Sequence, residues 1–272
     1  MLTRKSVRVI ACLSAAVLLL ASVAVGPVVG REPDARYYAR VDARIRVLER
    51  AGATDAQVDA MLKSEFGWTR AGILKPAAQT TSVEAAAVFN PSSSNVRLKP
   101  PTTYWNGTLT RHEVRGTWQW NDCSAYERCW AWYPGNLGEG QNGFGISFSR
   151  PTTHLSTSLN VYDEKGRART YSSPDSFGQY GATFAEFDIH NTYPTGYSWD
   201  HGTIFMSLRL PSSSCVRGQA LTISTRMGHT WNGTGVSSIT VGSSGISVTF
   251  SSTSYRWTGV LNPAYYWYPC GV

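Results

Sequence analysis

Residues 241–250 read Val-Gly-Ser-Ser-Gly-Ile-Ser-Val-Thr-Phe. Apolar Ile246, Val248 and Phe250 alternate with small polar residues, the period-two pattern of a strand with one buried face and one wet face. The glycines at 242 and 245 enclose two serines, which is typical of a tight turn. This stretch therefore predicts a β-hairpin with its turn at Gly242–Gly245.

Nine short extended patterns of this kind, including the two strands of this hairpin, occur between residues 113 and 260. They are Glu113–Trp120, Phe144–Ser149, Ser156–Tyr162, Thr183–His190, Thr203–Leu210, Leu221–Thr225, Ser238–Val241, Ile246–Phe250 and Tyr255–Val260. Turn signals such as Pro194-Thr195-Gly196 separate them, and no helical periodicity interrupts them. The sequence therefore predicts a mainly β fold, an antiparallel β-sandwich or jelly-roll-like domain over residues 103–272.

A short α-helical hairpin is predicted to precede this domain, over residues 31–75. Its first helix has an apolar stripe, Tyr38, Val41, Ile45 and Leu48, and its second begins with a capping box, Thr54 and Gln57. Gly67 ends the second helix. Two short helices bury little surface alone, so we expect a structural extension docked on the β domain, a cleavable pro-segment, or a segment that binds a protein partner. Residues 76–102 hold four prolines and no periodic pattern, and they predict a flexible linker.

The first 30 residues have the parts of a secretory signal peptide. Arg4, Lys5 and Arg8 precede an apolar run from Val9 to Val25, and small residues follow. The run of about 17 residues is at the lower limit for a membrane-spanning helix, so cleavage is favoured over a retained anchor. We therefore expect a secreted, extracellular protein with no stable membrane span after cleavage.

The charge balance argues against nucleic-acid binding. The formal net charge is +7, and loss of the three basic residues of segment 1–30, which has no acidic residue, leaves +4. No Lys/Arg block remains after residue 30, although a phosphate-binding footprint needs one.

Four cysteines remain after residue 30, an even number that implies two disulfides in an exported chain. Of the three possible pairings we favour Cys123–Cys129 and Cys215–Cys270, since each pair lies within one half of the domain. The Cys-x5-Cys spacing is not a usual zinc motif, so no metal and no other cofactor is predicted.

A possible catalytic cluster lies on two neighbouring segments, 184–190 and 199–202. If these segments pair as antiparallel strands with Ile189 opposite Asp200, one face gathers four titratable side chains, and a slip by one residue would mix apolar and charged groups. The four are Glu186, Asp188, His190 and His201. Such a group could bind a metal, perform acid–base chemistry or form a hydrated sheet face. Paired carboxylates for glycoside hydrolysis have several candidates but no diagnostic spacing: Glu113, Glu139, Glu186, Asp188 and Asp200.

Aromatic residues are the most abundant unusual feature, with 10 tryptophans and 14 tyrosines. A patch around the first two cysteines is predicted to bind a ligand: Trp118, Trp120, Trp130, Trp132 and Tyr133. Exposed aromatic planes stack on sugar rings, and the alternative is that these rings fill the core. We therefore expect a secreted protein that binds an extracellular or cell-surface polymer, with carbohydrate favoured. The alternatives are a secreted hydrolase using the four titratable residues, or an interaction, inhibitor or toxin component. Binding without turnover is favoured over catalysis.

Overall fold

The computed structural model describes residues 34–76, 84–85, 96–120, 141–162, 167–187, 201–230, 235–251, 256–258 and 265–270. Within these ranges the protein is mainly β, with two helices that precede the strands of an antiparallel, sandwich-like domain. The signal-peptide prediction, residues 1–30, lies outside them.

Both predicted helices are present, but the helical segment is shorter than the predicted 31–75, because Trp68–Arg70 and Ile73–Pro76 are strands that join the two sheets. Helix α1 spans Ala35–Arg50 and helix α2 spans Asp55–Phe66. The capping box of Thr54 and Gln57 is formed, and Gly67 ends α2 with a left-handed φ of 71°. This confirms the sequence-based start and end of α2, because both depend on local backbone chemistry alone.

The strands are numbered in chain order and fall into two main sheets and one separate hairpin. They are β1 (Trp68–Arg70), β2 (Ile73–Pro76), β3 (Glu84–Ala85), β4 (Val96–Asn106), β5 (Arg111–Trp120), β6 (Gln141–Phe148), β7 (Thr153–Tyr162), β8 (Ala168–Tyr171), β9 (Ser176–Gly178), β10 (Gly181–Phe187), β11 (His201–Arg209), β12 (Leu221–Thr230), β13 (Val236–Gly242), β14 (Gly245–Phe250), β15 (Arg256–Thr258) and β16 (Tyr265–Tyr268). Each of the nine predicted strands has its counterpart here.

One sheet has six strands in the order β1-β4-β5-β11-β7-β8. The other has the order β2-β16-β12-β6-β10-β9, with β15 paired to β12 and β3 paired to β15. Strands β13 and β14 form the predicted hairpin, in which Val241 is opposite Ile246 and Gly242 is opposite Gly245.

The core lies between the two main sheets. Both sheets contribute fully buried apolar residues to it, among them Val114, Leu159 and Ile204 from the six-stranded sheet and Phe144 and Ile223 from the other. Successive side chains of a strand point to opposite faces of its sheet, which places these residues on the inward face.

Strand β4 corrects the linker prediction, because it begins at Val96, inside the stretch 76–102. Val96 and Leu98 are buried in the core and alternate with Arg97 and Lys99, which are more exposed. This is the alternating pattern of a strand, but it is short and the prolines that follow it obscure it in the sequence. The register of β4 against β5 shifts between Lys99 and Thr102, and this irregularity contains both Pro100 and Pro101. Bulges tolerate proline, which cannot donate to a ladder.

Among the helices of the described ranges, none has the length and apolar character needed to cross a bilayer.

Candidate functional site

A surface cleft of about 740 Å³ lies where the amino terminus of α1 meets the edges of both main sheets. Its walls come from the start of α1, the start of β7, the turn after β8 and the short strand β9. The lining residues are Asp34, Ala35, Arg36, His154, Leu155, Ser156, Thr157, Ser172, Ser173, Pro174 and Phe177. Small ligands bind in concave sites of this size that combine an apolar surface with a few polar groups.

The apolar surface of the cleft is the ring of Phe177. This ring is 65% exposed, more than any other large hydrophobic side chain in the described part of the chain. It lies 5.4 Å from the ring of His154, and His154 Nε2 hydrogen-bonds the hydroxyl of Thr157. Phe177 belongs to the edge strand β9 and is opposite Ala182 of β10. This pairing holds the Phe177 backbone in place while its ring faces solvent.

The polar groups of the cleft are mostly neutral hydroxyls, from Ser156, Thr157, Ser172 and Ser173. Burial lowers the pKa of the His154 imidazole below its usual 6.5, which keeps it neutral at pH 7. One carboxylate and one guanidinium, from Asp34 and Arg36, bring opposite charges to the rim. The cleft therefore favours an uncharged ligand over a phosphate or a polyanion.

A hydrogen-bonded chain leads from the cleft to a buried carboxylate. The Ser156 hydroxyl lies 3.2 Å from the Tyr38 hydroxyl, which donates to Glu113 Oε2 at 3.0 Å. Glu113 is fully buried, and it also accepts from Asn106 Nδ2 at 3.4 Å and from the Ser207 hydroxyl at 3.3 Å. Desolvation raises the pKa of Glu113 to about 7. Since Glu113 does not line the cleft, it supports the cleft through Tyr38 and does not meet a ligand there.

A second buried carboxylate, Asp42 of α1, lies further along the same sheet face. It accepts from the Tyr162 hydroxyl at 2.7 Å and from Arg46 Nε at 3.1 Å. The Arg46 guanidinium lies 3.5 Å from the centre of the Tyr162 ring, and His201 stacks on this ring at 5.1 Å. His201 and Arg46 therefore both pack on the Tyr162 ring.

The described parts of the two segments that were predicted to gather Glu186, Asp188, His190 and His201 lie in different sheets. Strand β10, which carries Glu186, pairs with β6 and β9, whereas β11, which carries His201, pairs with β5 and β7 in the other sheet. Glu186 and His201 therefore do not share a sheet face, whereas the predicted pair of Ile189 and Asp200 lies outside the described residues. Asp188 and His190 lie outside the described residues, and the catalytic roles stay untested predictions.

The predicted aromatic patch is not supported at Trp118. This residue is 1% exposed and packs edge-to-face on Phe144 in the core, with its indole nitrogen close to Gly202. Trp118 thus has no free ring face for a ligand. The side chain of Trp120 and all of Trp130, Trp132 and Tyr133 lie outside the described residues, so that part of the patch stays a prediction.

The disulfide prediction is confirmed for one pair. Cys215 and Cys270 are bonded, with 5.5 Å between their Cα atoms. The predicted Cys123–Cys129 pair lies outside the described residues. In the described ranges no group of three or more His, Cys, Asp or Glu side chains is arranged to hold a metal ion.

Sequence reasoning did not single out Phe177, His154 or the serines of the cleft. The available signal was a Ser-Ser-Pro turn, residues 172–174, followed by an aromatic residue in a polar setting. A three-residue strand is too short to show periodicity, so nothing distinguished Phe177 from a core residue.

Comparison with known proteins gives no family. No protein-family description matches the chain, and no curated protein sequence does. A partial structural match is the enzymatically active domain of bacteriophage CBA120 tailspike protein 4, with 17% identity and a TM-score of 0.19. The match covers 44% of this chain and 18% of that one, so the chain spans less than a fifth of its length. A similarity this low does not indicate a shared fold, and nothing is transferred from it.

Proposed function

We propose that this protein binds a neutral carbohydrate polymer in the cleft around Phe177. The observation that carries the proposal is the 65% exposed Phe177 ring beside a wall of serine and threonine hydroxyls. An aromatic face packs against the C–H groups of a sugar ring, while neighbouring hydroxyls exchange hydrogen bonds with those of the sugar. Carbohydrate is also the ligand class that the sequence favours, but the cleft residues differ from the tryptophans and the tyrosine that the sequence analysis named.

Rigid surroundings support this role. The Phe177 backbone is held by pairing to β10, and the Thr152 backbone N–H donates to the Gln179 carbonyl at 2.7 Å, which ties β9 to the start of β7. The Ser156 hydroxyl is oriented by Tyr38. A preformed site loses little conformational entropy on binding, which matters for ligands that gain only modest energy from each contact.

We also propose that the protein is exported. Its basic start and apolar run resemble a secretory signal peptide, and the Cys215–Cys270 disulfide suits an oxidising compartment. An extracellular polymer is then an accessible ligand.

The test is a titration by isothermal calorimetry against a panel of cellohexaose, chitohexaose, maltohexaose and xylohexaose. We expect saturable binding of at least one of them, and a loss of at least about tenfold in affinity, or 1.4 kcal/mol, in Phe177→Ala. Tyr266→Ala removes another exposed aromatic ring, 42% exposed on β16, and is the matched control. Absence of binding to the whole panel, or equal affinity of wild type and Phe177→Ala, would overturn the proposal.

A further inference from the structure

The two faces of the six-stranded sheet differ sharply in chemistry. The inner face supplies apolar residues to the core, most of them aliphatic. The outer face, which α1 covers, presents aromatic, hydroxyl, amide and charged side chains. They include Tyr104, Asn106, Arg111, Glu113, Arg115, Ser156, Asn160, Tyr162, Thr203, Phe205 and Ser207. A sheet face that only packs against a helix is normally apolar, so the polar composition of this face indicates an additional role.

Helix α1 is attached to this face through several polar contacts, in addition to the Tyr38 ring, which stacks on Phe205 at 5.4 Å. Tyr38 donates to Glu113, Asp42 accepts from Tyr162, and Arg46 Nη2 donates to the Thr203 hydroxyl at 3.4 Å. Further along, Glu49 pairs with Arg115 at 3.4 Å. Buried polar and ionic contacts of this kind contribute little net stability, because each one replaces contacts with water.

The apolar part of the attachment is small on the sheet side. Val41 and Ile45 of α1 are fully buried, but their cluster consists largely of residues from the helical segment and β1. The six-stranded sheet beyond β1 adds only Tyr104 and Phe205 to the described cluster. Such an interface resembles a separable contact between two surfaces more than a continuous core.

The covered face is continuous with the cleft. Ser156 lines the cleft and also contacts Tyr38 of α1. From Ser156 the same face of β7 runs through Asn160 to Tyr162, a distance of about 20 Å at the rise of a β-strand. The cleft is therefore the open end of a longer surface whose rings, amides and hydroxyls suit a chain of sugars.

We propose that this covered face is the continuation of the carbohydrate site, and that α1 is a displaceable cover which competes with an extended polymer for it. The inference rests on the proposed function of the cleft. The cleft alone accepts the end of a chain or a single sugar. Binding of several consecutive sugars requires α1 to leave the sheet.

The loop between the helices offers a way to release α1 without changing the interface. Ala51 and Gly52 are exposed, and a Cβ at Gly52 would meet no atom within 4 Å. A recognition sequence for a site-specific protease inserted after Gly52 allows the folded full chain to be cut there. The matched control has the same insertion between Ser243 and Ser244, in the exposed turn of the β13–β14 hairpin.

The experiment compares cut and uncut protein in titrations with the preferred hexaose and with its monosaccharide. We expect the hexaose to bind at least tenfold more tightly after cutting at Gly52, and to release the α1 fragment on size-exclusion chromatography. Monosaccharide affinity should stay the same, and cutting the control turn should change neither affinity. Release of α1 without a gain in hexaose affinity, or failure of saturating hexaose to release it, would overturn the cover but leave the cleft intact.

A point variant of the uncut chain keeps the test decisive if the cut protein unfolds. Arg46→Ala removes the contacts to Asp42, Tyr162 and Thr203 without removing an apolar core residue. It should raise hexaose affinity several-fold and leave monosaccharide affinity unchanged, and equal hexaose affinities would contradict the proposal. If neither sugar binds to any form, the proposed function itself fails, which is a different result from failure of the cover.

Discussion

Replacing Glu113 by glutamine removes a buried titrating group while keeping the size and shape of the side chain. Burial raises the pKa of Glu113 from its ordinary 4.5 to about 7, and hydrogen bonds from Tyr38 and the nearby charge of Arg111 offset part of the effect. Tyr37 of α1 faces the same carboxyl and has a raised pKa of its own, above the range of the experiment. In the unfolded chain the carboxyl regains its ordinary pKa.

Folded and unfolded chains therefore bind different numbers of protons at this residue between about pH 4.5 and pH 7. The folded protein retains a proton that the unfolded chain has lost, so the contribution of Glu113 to stability is fully present below pH 4.5 and is lost as the pH rises through 7. The distance between these two pKa values, at about 1.4 kcal/mol per pH unit, corresponds to about 3 kcal/mol. Glu113→Gln has no such loss.

The assay is urea unfolding of wild type and Glu113→Gln at pH 4.5 and pH 7.5, followed by tryptophan fluorescence and circular dichroism. We expect the free energy of unfolding of the variant, relative to wild type, to increase by about 3 kcal/mol between the two pH values. The comparison uses the difference in free energy of unfolding between the two proteins, because His112 adds a pH dependence of its own to both. Burial lowers the pKa of His112 to about 4, so its contribution to stability falls as the pH falls, opposite to that of Glu113.

Glu65→Gln is the control for this experiment. Glu65 is partly exposed, and its hydrogen bond with Arg44 lowers the pKa of its carboxyl below 4.5. The stability it contributes is present above pH 4.5 and is lost below it, so its difference from wild type should stay flat above about pH 5. Parallel curves for Glu113→Gln and wild type would refute the burial of Glu113 beneath α1.

Three further variants test the fold. Cys215→Ser opens a loop of 55 residues, and we expect urea unfolding to show a loss of about 4 kcal/mol; a loss below about 1 kcal/mol would contradict the disulfide's role. Gly145→Ala places a methyl carbon 2.5 Å from Thr183 Cγ2 and 2.9 Å from Ile246 Cδ1, which should cost about 1–3 kcal/mol and loosen the β13–β14 hairpin in hydrogen exchange. Thr54→Ala removes the cap of α2 and should lower stability by about 1 kcal/mol, with an unchanged denaturation curve as the contrary result.

Local signals in the sequence predicted local structure well. The alternation of Ile246, Val248 and Phe250 gave both the strand and its buried face, because side-chain period and burial are linked in a one-sided sheet. The capping box at Thr54 marked the start of α2, because its hydrogen bonds span three residues.

Pairing between strands was not predictable in the same way. The alternation in residues 184–190 fits any partner with an apolar face, and strand β10 found its partners in β6 and β9 instead of β11. The raised pKa of Glu113 has the same origin, since its burial depends on Tyr38, 75 residues away. The sequence did not single out Phe177 because its ring is exposed only through the position of β9 at the edge of the sheet, which depends on the pairing of β9 with β10.

The most direct measurement for the central claim is a crystal structure of the protein with the hexaose that binds best. We expect a sugar ring stacked on Phe177, with its hydroxyls within hydrogen-bond distance of Thr157 or Ser172. A bound sugar that leaves Phe177 bare, for instance on Tyr266 or on residues 121–140, would contradict the proposed site.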